Sequence, residues 1–160
     1  MYQLIYASKY HNLSKGEVIT NIVDKAKLNN LRDQLTGILV FSSGYFLQCL
    51  EGERGAVNKT FSKIVRDERH FNLNILTYTE IYERSFPFWT MAFASESDIK
   101  KSLYFKYGMN EFDPFKLPAR GVLPFLRELG IVYLEGTGIP DVFPSLQAEG
   151  NIGESFSENL

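Results

Sequence analysis

Apolar positions recur along the chain at two spacings, every second residue or every third to fourth, and the switches between them predict the order of elements. Residues 2–7 predict a short strand. Over residues 14–28, Val18, Ile19, Ile22, Val23 and Ala26 fall on one helical stripe, and Ser14 and Glu17 have capping-box spacing at its start. The polar run Leu28 to Asp33 then predicts a loop, with Asn29-Asn30 as the helix stop signal. Residues 36–41 and 45–50 predict two strands joined by a hairpin turn at Ser42-Ser43-Gly44. A second helix is expected at 55–68, with Val57, Phe61, Ile64 and Val65 on its buried face. Residues 74–82 alternate as a strand, with Ile75, Thr77, Thr79 and Ile81 on one side. Phe86-Pro87 breaks the chain. Residues 88–93 then predict a short last strand, with Trp89, Met91 and Phe93 on one face by the two-residue period.

The order β-α-β-β-α-β followed by one more strand is the split βαβ, ferredoxin-like pattern, an α+β fold. It places two helices on one face of a mixed sheet and leaves a cleft between them as a natural ligand slot. From residue 98 the pattern changes. A short helix is expected at 98–108, ending at Gly108. A longer one is expected at 117–135, where Leu123, Leu126, Leu129 and Val132 keep helical spacing although Pro124 and Gly130 weaken it. The organisation read from this is a core domain at 1–97, a helical extension at 98–135 and a flexible or docking tail at 136–160. Ile139, Val142, Phe143 and Leu146 are the tail residues suited to docking.

Composition narrows the function classes. The chain of 160 residues is 44% hydrophobic and 22% charged with a formal net charge of −2, ordinary for a soluble domain with a real core. No dense Lys/Arg face is present, which argues against direct nucleic-acid or acidic-membrane binding. No apolar run approaches the roughly 20 residues that span a bilayer, and the N-terminus lacks the layout of a signal peptide. Cys49 is the single cysteine, so no intrachain disulfide and no cysteine-based zinc site is expected. The expected location is the reduced cytoplasm.

One residue breaks the hydrophobic pattern. Gln48 sits inside Tyr45-Phe46-Leu47-Gln48-Cys49-Leu50, a run that otherwise reads as the middle of a sheet. A buried amide left unpaired costs roughly 1–3 kcal/mol, so a side chain, a water or a ligand must meet it. Taken alone, it is most simply a core glutamine bonded to a protein neighbour. Tyr6 is on a strand that is central in this topology, a placement that would bring its phenol near Gln48; taken alone it is most simply a core tyrosine with a satisfied hydroxyl. Trp89 and Met91 read most simply as core residues, and His70 as a solvated helix end. His11 lies in a loop and is assigned no role. No metal-ligand spacing, catalytic triad signature or phosphate-cradling glycine loop is present. The inventory of amide, phenol, thioether and indole suits hydrogen bonding and electron donation better than acid–base turnover.

Five segments, in order, resemble the BLUF family of flavin-based blue-light sensors. They are Leu4-Ile5-Tyr6-Ala7-Ser8; Asn29-Asn30 with Leu35-Thr36-Gly37; Phe46-Leu47-Gln48 with Leu50-Glu51-Gly52-Glu53; Ile64 to His70; and Trp89-Thr90-Met91. Residues 98–135 also resemble the extra helices of the family's short stand-alone members. The resemblance implies a photoreceptor that binds FAD, the family's usual ligand, non-covalently; the residues do not exclude FMN or riboflavin. It implies that Tyr6 is the electron donor and Gln48 its hydrogen-bonded relay, with Met91 and Trp89 on the strand that carries the signal outward. Asn30 would hold the carbonyl edge of the ring. Ser8, Ile22, Phe46, Lys63 and Ile64 would line the pocket, and Asp67, Arg69 and His70 would lie toward the ribityl and phosphate side. With about 60 residues after the sensor, no cyclase or phosphodiesterase module is expected. Output would pass to a downstream protein or through a change in self-association of a homo-oligomer. The rival readings are a small ferredoxin-like hydrolase and a ligand-free interaction module.

Overall fold

The computed structural model describes residues 1–10, 16–95, 99 and 101–137, with backbone alone for 16–18 and 133–137. The chain runs β1 (Tyr2–Tyr10), α1 (Gly16–Arg32), β2 (Thr36–Ser42), β3 (Tyr45–Gly52), α2 (Arg54–Val65), β4 (His70–Glu80), β5 (Ala92–Ser95), α3 (Lys101–Lys106) and α4 (Ala119–Thr137). One turn of 3₁₀ helix, Pro114–Lys116, precedes α4, and Asp113 caps it by accepting from Phe115 N. The sheet order is β4-β1-β3-β2-β5. Neighbouring strands are antiparallel except β5, which runs parallel to β2. This is the expected ferredoxin-like sheet with a fifth strand added at the β2 edge.

The two-residue period of the central strands sorts their side chains into two cores. Leu4, Tyr6, Leu39, Phe46 and Leu50 belong to one, with Val57 of α2 and Val23 of α1. Ile5, Ala7, Ile38, Val40, Leu47 and Cys49 belong to the other, with Phe112, Val122, Phe125, Leu126 and Leu129 from the C-terminal segment. The sheet is thus covered on both faces, which accounts for the nearly continuous apolar runs of β1, β2 and β3. The hairpin between β2 and β3 turns at Ser43 and Gly44, both with positive φ (52° and 85°), the two-residue geometry that follows the twist of the strands.

Several boundaries differ from the sequence expectation, each for a local reason. Helix α1 runs on to Arg32, so Asn29 and Asn30 lie inside it rather than in a loop. The expected capping serine, Ser14, lies outside the described residues, as does the tail beyond residue 137. Helix α2 ends at Val65, which is exposed rather than on the buried face. Strand β4 begins at His70, and its pairing with β1 slips twice, between Ile5/Tyr6 and Ala7/Lys9. Those irregularities reset the alternation, and Ile75 is exposed on this edge strand. Strand β5 begins only at Ala92, so the two-residue rule does not reach back to Trp89. Met91 and Phe93 join the core under α1 and α2, whereas Trp89 joins the opposite one. Helix α4 accommodates Pro124 and Gly130 because its apolar stripe, Val122, Phe125, Leu126 and Leu129, is fully buried on the sheet.

Candidate functional site

A cleft with about 190 Å³ of water-accessible space opens between α1 and α2 above the sheet. Each helix lines it with a stripe at i, i+3, i+4 and i+7, the spacing that keeps residues on one face. Ile22, Lys25, Ala26 and Asn29 form the stripe of α1, with Asn30 beside it. Thr60, Lys63 and Ile64 form that of α2, which Asp67 continues past the helix end. The floor is Tyr6, Leu39, Phe46 and Gln48 from three neighbouring strands, and Arg69 and His70 close one end.

The polar floor is set by register. Tyr6 of β1 stands directly opposite Gln48 of β3, and in an antiparallel pair such residues face the same way at close range. The Tyr6 hydroxyl donates a short hydrogen bond to Gln48 Oε1. Among the described residues Gln48 Nε2 finds only the Met91 thioether, at 3.5 Å. A thioether is a weak acceptor, so this buried amide retains donor capacity, and it lies on the wall of the cleft. Burial, and secondarily the charge of Asp67, push the Tyr6 phenol well above its ordinary value of 10.0 and keep it neutral. Its ring packs against Phe61 at 5.3 Å.

The other polar groups are tied into the walls. Asn30, 2% exposed, donates through Nδ2 to the Thr90 carbonyl at 2.7 Å, which joins α1 to the residue before Met91. Among the described residues its Oδ1 has no hydrogen-bond donor, and Asn30 lines the cleft. Ser8 Oγ and His70 Nδ1 lie 2.9 Å apart across β1 and β4. Burial lowers the His70 pKa from its ordinary 6.5, the charge of Asp67 raises it and that of Arg69 lowers it. The His70 ring also lies tilted against Phe46, with centroids 4.7 Å apart, and it is a strand residue rather than the solvated helix end expected. Arg69 is held to Asp67 through its Nε, its Nη2 and its backbone N–H. That hydrogen bonding holds the Asp67 carboxyl below the usual range.

The structure therefore brings together Tyr6, Ile22, Asn30, Phe46, Gln48, Lys63, Ile64, Asp67, Arg69 and His70. Ser8 lies one layer behind, against His70. Met91 touches the amide from the side. Trp89 is the exception: it lies across the sheet, stacked on Phe86 at 5.8 Å, with its ring beside Gly130 of α4. Lys25, Ala26, Asn29, Leu39 and Thr60 line the cleft without having been assigned to it from the sequence. The helical period starting from Ile22 and from Ile64 points to the four helix residues, and strand alternation in β2 to Leu39. Among the described residues no cluster of His, Cys, Asp and Glu could hold a metal ion, and no helix is long and apolar enough to cross a membrane.

A cleft with aliphatic and aromatic walls, an amide with donor capacity to spare and a neutral phenol beneath suits a flat heteroaromatic ligand edged with acceptors. Residues 1–92 match the family described as sensors of blue light using FAD, BLUF. The chain belongs to the BLUF family. Among curated proteins it is similar to the blue light- and temperature-regulated antirepressor BluF of Escherichia coli K12, at 34% identity over 70 residues, 44% of this chain and 17% of that one. It is also similar to the photoactivated adenylate cyclase subunit beta of Euglena longa, at 33% identity over 79 residues, 49% of this chain and 9% of that one. The match thus spans under a fifth of those relatives' lengths. Among solved structures, BlsA in its photo-activated state superposes with a TM-score of 0.73 at 30% identity, covering 80% of this chain and 93% of that one. BlrB in its dark state gives 0.70 at 26%, covering 82% and 94%. The chain is accordingly a blue-light sensor of the flavin-binding type with the BLUF fold, and its residues fit that cofactor.

Proposed function

We propose that light is read by the pair Tyr6–Gln48 beneath a flavin held between α1 and α2, and that the result leaves the site through Met91. The observation that carries this reading is the buried Gln48 amide, bonded by Tyr6 at one end and, among the described residues, met at the other by a thioether alone. When bound, the flavin supplies a blue-absorbing ring that withdraws an electron once excited. Tyr6 gives up an electron and its hydroxyl proton, and both return. During that excursion Gln48 loses the donor that fixed its Oε1. The amide is then free to exchange its two ends, which presents a different group to the ring and shifts the absorption to the red. No net reaction follows, because Tyr6 is restored. Asn30 serves as a holder, since its Nδ2 already spans to Thr90. Lys25 and Lys63, on opposite helices at the cleft, suit the anionic part of FAD.

The turned amide changes its contact with Met91, which begins the segment leading into β5. Output then passes through the sheet to α3 and α4, and from there to a partner protein or to a change in self-association in the cytoplasm. Among the curated relatives one is named an antirepressor and another a cyclase subunit, which supports an output that lies outside the sensor domain. For this chain we read a sensor with no catalysis of its own.

The test is direct. The purified protein should carry flavin, and blue light should red-shift its spectrum reversibly. Gln48→Leu should bind flavin with near-normal occupancy and fail to shift. A reversible red shift in Gln48→Leu would remove the amide from the mechanism.

A further inference from the structure

We propose that Glu51 is a positioning residue for the switch: it pins the segment from Ser85 to Met91 against β3 and so sets where Met91 meets Gln48. The proposal rests on the relay reading above. Glu51 lies three residues beyond Gln48 on β3 and is fully buried. Its Oε1 accepts from Gln3 Nε2 at 2.7 Å and from Ser85 N at 2.9 Å, and its Oε2 accepts from Phe86 N at 2.9 Å. A buried carboxyl group is tolerated only where donors surround it. Two of these three donors are backbone groups of the segment that leads to Met91.

That segment reaches the switch within five residues. The Trp89 carbonyl accepts from Gly37 N at 2.8 Å, the Thr90 carbonyl from Asn30 at 2.7 Å, and Met91 Sδ meets Gln48 Nε2. Arg84 braces the same corner from outside, donating to Thr36 Oγ1, to the Glu51 carbonyl and to the Gln34 carbonyl, each at 2.8 Å. Arg127 of α4 donates to Ser85 Oγ at 2.9 Å. The Glu51 corner is therefore where the strand of the relay, the segment that receives its movement and the helix beyond are held in one frame. Movement of Met91 is defined against it.

Glu51→Gln keeps the shape but sets an amide N–H₂ against a backbone N–H, so one of the three bonds is lost. A looser segment gives the Gln48 amide room to turn back. In the flavin-loaded full chain, flavin occupancy and the red shift should persist. Dark recovery should quicken about tenfold, equivalent to about 1.4 kcal/mol on its barrier. Leu117→Ala, buried in the opposite core, serves as a destabilised control and should recover at the unmodified rate. If Glu51→Gln fails to fold, Arg84→Met decides, with faster recovery expected. Recovery within about threefold of the unmodified protein, or equal quickening in Leu117→Ala, would overturn the proposal. An unmodified protein without any light-induced shift would instead sink the relay reading.

Discussion

Replacing Tyr6 by Phe removes one oxygen atom from the centre of the fold. The ring is retained, so its packing against Phe61 survives and no large cavity opens. What is lost is the hydroxyl that donates to Gln48 Oε1, leaving a buried acceptor without its donor. Such a loss costs about 1–3 kcal/mol, and for a domain of this size each kcal/mol lowers the melting temperature by about 2–4 °C. The variant should therefore fold, bind flavin and melt several degrees lower. It should lose the light-induced red shift completely, because a benzene ring offers neither a transferable proton nor an accessible electron. The assay is a difference spectrum under blue light beside a thermal melt. There is also an alkaline signature. The folded phenol has a raised pKa, so its contribution to stability is intact below the ordinary value of 10.0. Above that pH the unfolded chain ionises first, and stability falls by about 1.4 kcal/mol per pH unit until the folded value is reached. Tyr107, pushed up to about 12 by burial and by Glu128, adds its own slope, so Tyr6→Phe should remove only one share. A red shift that survives in the variant would refute the role of the phenol.

The remaining predictions concern the ends of the site. His70 is held neutral by burial, so its contribution to stability is present above pH 6.5 and is lost as pH falls through its lowered folded value. His70→Gln should flatten urea-melt stability between pH 7.5 and the acid limb relative to the unmodified chain, and an unchanged acid slope would refute this. On the far face, a Cβ at Gly130 would stand 3.0 and 3.1 Å from two carbons of the Trp89 ring. Gly130→Ala should displace α4 or the indole at a cost of about 1–3 kcal/mol, seen as a lower melting temperature and altered tryptophan fluorescence. Unchanged values of both would contradict the observed seating of Trp89.

Much of the architecture was legible because the polar and apolar periods agree with it. The order of elements, the hairpin at Ser43-Gly44 and, apart from the exposed Val65, the inward stripes of both cleft helices follow from local pattern. The places where pattern misled are those where tertiary contact overrode it. Asn29-Asn30 resembles a helix end, yet α1 continues because Asn30 is drawn inward to the Thr90 carbonyl. The alternation through Trp89, Met91 and Phe93 fails because residues before Ala92 lie outside the strand, and a segment held by Glu51 and Gly37 need not obey its period.

The sequence by itself determined that an amide would be buried at position 48, which residue types would surround it and which family they resemble, because side-chain chemistry and periodicity are written locally. Only the tertiary structure decided that Tyr6 stands opposite that amide, that Met91 meets its other end while Trp89 turns to α4, and that Glu51 ties the two together. Those are relations between strands and loops brought together from distant parts of the chain, and they depend on sheet register and on where buried polar groups find their donors.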